Sequence, residues 1–88
     1  MSEIQTPARP EYALLALHDD LIALADEMFT RAAELRSVSP ACSDAALLDF
    51  AAAQTIAAAD LTATARWSFE TALSWLDAGR AAVKRARP

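Results

Sequence analysis

"DAALLDFAAAQTIAAADLTATARWSFETALSWLDAGRAAVKRA", residues 44–86, is the stretch whose reading decides the fold. It holds no proline and a single glycine, Gly79, the only one in the chain. At about 100° of rotation per residue, Leu47, Phe50, Ala51, Gln54, Ala57, Ala58 and Leu61 share one side of a helix. Ala65, Ser68, Phe69, Ala72, Trp75, Leu76, Gly79 and Val83 continue the same stripe within roughly 120°. A stripe that keeps its phase from end to end predicts one long alanine-rich helix, because a new helix would normally reset the phase. The competing reading breaks the helix near residues 60–64. Asp60, Thr62 and Thr64 are poor helix formers whose side chains bond to nearby backbone, and a break there gives a monomeric three-helix bundle.

Upstream of that stretch, "SVSPACS" at residues 37–43 reads as a loop. Pro40 disfavours helical geometry at Ser39, and either Ser43 or Ser39 serves as the N-cap of the long helix. Before the loop, residues 10–36 form a strongly amphipathic helix with Pro10 suited to its first position. Leu14, Leu17, Leu21, Leu24, Met28 and Leu35 make a heptad seam, interrupted by Arg31. Leu15, Ile22 and Phe29 run beside that seam and ask for a second packing partner. Asp19, Asp20, Asp26, Glu27 and Glu34 lie opposite, as a solvated face. Residues 1–9 read as a flexible N-terminal tail and residues 10–88 as a single helical domain.

The two helices differ in length. At 1.5 Å per residue the first spans ~39 Å and the second ~64 Å. Folding back near residue 40 brings Leu35 to Ala45, Leu21 to Ala59 and Leu14 to Arg66. The far end of the long helix is then left without a partner in its own chain. Phe69, Leu73, Trp75, Leu76 and Val83 lie there, and a bare apolar end of that kind is a contact surface. The sequence therefore predicts an all-α antiparallel hairpin that completes a bundle with a second copy in a two-fold arrangement. Trp67, off the stripe beside Arg66, is an expected interface anchor. Arg80 and Lys84 are basic contact candidates, and with Arg85 and Arg87 they also complement the negative end of the helix dipole. Arg31 is expected to pair with an acidic residue of another helix or to snorkel outward.

Composition narrows the function classes. The chain has 88 residues and a net charge of −4. Residues 1–65 hold ten acidic and three basic side chains, and residues 66–88 hold two acidic and five basic. An acidic body argues against a general nucleic-acid binder. One cysteine, Cys42, excludes an intramolecular disulfide and fits the cytoplasm, and the start of the chain lacks the apolar core of a secretory leader. No uncharged apolar run is long enough for a membrane span. His18 has no ligand-type companions at helical spacing, and Cys42 has no basic neighbour to activate it. No catalytic residue, cofactor or metal is expected. The reading is a non-enzymatic protein–protein interaction or assembly module, a homo-oligomer and/or the partner of another protein. The alternatives are a small acidic inhibitor of a larger machine, and a small-molecule-binding regulator, which would need a cavity.

Overall fold

The structure is a computed structural model that describes residues 10–87; the expected tail at residues 1–9 lies outside them. Three helices succeed one another: α1 over Pro10–Val38, α2 over Ser43–Ala63 and α3 over Phe69–Arg85, with no strand among the described residues. α1 packs on both of the others, more extensively on α2, while α2 and α3 touch only sparsely. The all-α class holds. The arrangement is the three-helix bundle, and the single long second helix is corrected to two helices.

The chain breaks at residues 64–68 for local reasons. Thr62 and Thr64 turn their hydroxyls back onto the carbonyls of Ala58 and Asp60, at 2.8 and 2.9 Å. Such bonds loosen a helix turn. Ala65 then takes a left-handed conformation, φ 60°. Its N–H reaches the Thr62 carbonyl at 3.1 Å, and the Arg66 N–H reaches the Leu61 carbonyl at 2.8 Å. These two bonds are a Schellman motif, with alanine in the position glycine usually takes. α3 restarts at once, because the Ser68 side chain accepts the Thr71 N–H at 3.1 Å as an N-cap. α2 begins differently from expectation. Ser43 is its first helical residue rather than its cap, and Cys42 precedes it without a side-chain capping bond.

The core is uneven in its contributors. α1 supplies Leu17, Leu21, Leu24, Ala25, Met28, Ala32 and Leu35. α2 buries Ala45, Leu48, Ala52, Thr55, Ala58, Ala59 and Thr62, so apart from Leu48 it offers nothing larger than threonine. α3 buries Ala72, Leu76, Gly79 and Val83. Gly79 has a packing reason. A Cβ there would overlap Cδ2 of Leu24 and come within 3.1 Å of Cε of Met28.

Both buried threonines are satisfied, as buried hydroxyls must be. The Thr62 bond is the one at the break. Thr55 donates to the Ala51 carbonyl at 2.7 Å and accepts the Nε1–H of Trp75 at 3.0 Å. Met28 Sδ lies 3.6 Å from the same hydroxyl, so one residue of α2 touches both other helices.

Ala65→Gly is expected to stabilise the protein by about 0.5–1 kcal/mol. It removes the penalty of an L side chain at positive φ, less the added freedom of the unfolded chain. Urea unfolding of the two proteins measures the difference. A loss of stability would contradict the left-handed Ala65.

Candidate functional site

The end of the chain that the sequence marks as an open contact surface is divided between core and surface. Leu76 and Val83 are 1% and 9% exposed and belong to the core with α1. Trp75 is half-buried and bonded to Thr55, and Trp67 packs on it with ring centroids 5.6 Å apart and planes at 58°. The break turns α3 back along α1, which supplies the cover that a long helix would lack. Leu76 and Val83 are therefore core residues rather than an open surface, while Trp75 and Trp67 are half-buried against each other. Phe69 and Leu73 remain exposed, one turn apart at the start of α3.

Arg80 and Lys84 are exposed and line an open groove of about 590 Å³ between α1 and α3. Asp26, Glu27 and Glu34 form its α1 wall. Arg31 borders the groove and does what neither expectation described. Its guanidinium donates to the carbonyls of Val83 and Ala86, at 2.9 and 2.7 Å, and pairs with Glu34 on its own helix. A cation from α1 thus caps the C-terminal carbonyls of α3, where the helix dipole is negative. The second line on α1 is only partly covered: Ile22 packs on the core, while Leu15 and Phe29 are exposed.

The surface that stands out is one the sequence reading placed inside. Leu47 and Phe50 are 65% and 63% exposed. Gln54 and Ala57 are also exposed and Leu61 is half-buried. Spaced alternately by three and four residues, these five form one continuous helix face. The buried residues Ala45, Leu48, Ala52, Thr55, Ala59 and Thr62 have the same spacing on the roughly opposite face. Leu48 aside, α2 is inverted: small side chains point in, while Leu47, Phe50 and Ile56 point out. The available signal was the pair of seven-residue series Ala45, Ala52, Ala59 and Leu48, Thr55, Thr62. No charge lies between Asp49 and Asp60. Asp49 itself is held by Arg36 of α1.

Chemistry-bearing residues do not converge. His18 Nδ1 lies 3.1 Å from a carboxylate oxygen of its neighbour Asp19, in an exposed contact. Cys42 is a free, half-buried thiol in the first loop. Among the described residues no group of three or more His, Cys, Asp or Glu gathers as metal ligands, and no helix is long and apolar enough to cross a membrane. No protein-family model, curated protein or solved structure matches the chain.

The inversion predicts unequal costs. At low micromolar protein, Phe50→Ser is expected to change stability by no more than about 0.5 kcal/mol, as an exposed site should. Leu76→Asp buries an unpaired carboxylate in the core and is expected to cost about 4 kcal/mol or leave the chain unfolded. Circular dichroism during urea titration reads both. Equal costs, or the reverse order, would contradict the placement of the two residues.

Proposed function

We propose that this protein is a non-enzymatic helical interaction module, and that its contact face is the outer side of α2. The observation that carries the reading is the inversion of that helix. A helix apolar on all sides normally lies buried on all sides, whereas α2 leaves Leu47 and Phe50 about two-thirds exposed. A single exposed apolar residue needs no explanation, but an uncharged face running along a whole helix marks a place where another surface docks. The size of the domain points the same way. A chain this short retains a thin stability margin, and association on an apolar face adds burial that its alanine-rich core lacks.

The partner is a protein: a second copy, another chain, or each in turn. Acidic charge on α1 argues against nucleic acid, and a lone thiol suits the cytoplasm. The α1–α3 groove is an open trough with walls of opposite charge, unlike the enclosed apolar cavities that hold small molecules.

Replacing Phe50 by a benzophenone-bearing phenylalanine analogue keeps an aromatic ring at that position and makes it a photo-crosslinker. In an extract of the source cells, irradiation is expected to give protein adducts from position 50 in several-fold excess over the same analogue at the exposed position of Glu27. Equal yields at the two positions, or no adduct at 50, would remove α2 as the contact face.

A further inference from the structure

We propose that the outer face of α2 pairs with the same face of a second copy, antiparallel, about a two-fold axis that passes beside Gln54. The inference rests on the reading of that face as the contact surface and names its occupant. The first argument is the symmetry of the face. Leu47 lies seven residues before Gln54 and Leu61 lies seven after it, while Phe50 and Ala57 flank it on either side. A two-fold axis at Gln54 sets Leu47 against Leu61 of the copy. It brings the large Phe50 to within one residue of level with the small Ala57 of the copy, a knob beside a space that accepts it. Gln54 meets its own image, and a carboxamide, which carries both a donor and an acceptor, is complementary to itself.

Charge gives the second argument. Two copies that each carry −4 repel, so a contact between them belongs where carboxylates are absent. The outer face of α2 meets that condition, because Asp49 is engaged by Arg36 and no charge lies between it and Asp60. The same charges select the direction. Parallel pairing would set Asp44 against Asp44 and Asp60 against Asp60, and would align the two helix dipoles. Antiparallel pairing brings Asp60 level with Leu48 of the copy and opposes the dipoles.

Area sets the strength. A strip about 31 Å long and 10 Å wide has a footprint of about 300 Å². Stable interfaces hide about 800 Å² per partner, so the pair is a concentration-dependent dimer rather than a permanent one.

Single-cysteine variants in a Cys42→Ser background test the pairing. At several hundred micromolar protein under mild oxidation, Gln54→Cys is expected to form disulfide-linked dimer at least about tenfold faster than Leu47→Cys. The two Leu47 positions would lie ~21 Å apart in the antiparallel pair, far beyond the reach of a disulfide. Adding Phe50→Asp to Gln54→Cys is expected to lower its rate to that of Leu47→Cys. Sedimentation equilibrium of the unmodified protein should show a mass rising toward the dimer as concentration approaches the millimolar range. Equal cross-linking rates, faster cross-linking at Leu47→Cys, or a monomer at every concentration would overturn the pairing. Photoadducts from position 50 to other proteins alone, with a monomeric wild type, overturn self-pairing and leave the contact face standing. The absence of any adduct sinks the contact face itself.

Discussion

Close approach between α1 and α2 depends on what α2 withholds. One leucine aside, its buried face carries alanine and threonine only, and Ala45, Ala52 and Ala59 are completely buried. Side chains this small let two helix axes draw together, and the long seam of α1 fills the space they leave. Alanine buries little apolar area, so the hydrophobic weight of the core falls on α1, with Leu21, Leu24 and Met28 at its centre. α3 joins by the same device. Gly79 lies against Leu24 and Met28, at a point where even a methyl group would collide. Polar contacts then fix how α3 sits: Arg31 caps its last carbonyls, and the Trp75 indole bonds to Thr55.

The same choice of residues shapes the surface. Since α2 turns its small residues inward, Leu47 and Phe50 have no place in the core and stand outside, and Ile56 is left exposed as well. An alanine-rich core of this size gives a modest stability margin, and the apolar surface left over is what a second molecule would cover. Packing and proposed function thus have one cause. The inward face of α2 sets the fold, and its outward face is available for contact.

α1 was legible in the sequence because its seam of large apolar residues recurs at heptad spacing between Pro10 and Pro40, and Leu17, Leu21, Leu24, Met28 and Leu35 of that seam are buried. The inner face of α3 was legible for the same reason, since Leu76 and Val83 dominate it. α2 was not. A periodicity argument weighs large side chains, and in α2 these lie on the wrong side, so Ala45, Ala52 and Ala59 carried no signal against Leu47 and Phe50. The continuity of the stripe through the break was equally misleading. Ala65, a strong helix former, holds the left-handed position where a glycine would have announced the turn. The capping role of Arg31 could not be read at all, because it exists only once α3 has folded back beside α1. The candidate surface moved accordingly, from the end of the chain to the outside of its middle helix.

Thiol accessibility along α2 tests the central claim, which face of that helix is buried. Single cysteines are placed in turn at Ala45, Ala52 and Ala59, and at Ala46, Gln54 and Ala57, in a Cys42→Ser background. Each variant is labelled with a small alkylating reagent at low micromolar concentration. Labelling at the first three should require opening of the bundle and run at least about tenfold slower than at the second three. Fast labelling at Ala45, Ala52 and Ala59 with protection at Gln54 and Ala57 would mean that α2 faces the other way, and the account would be wrong.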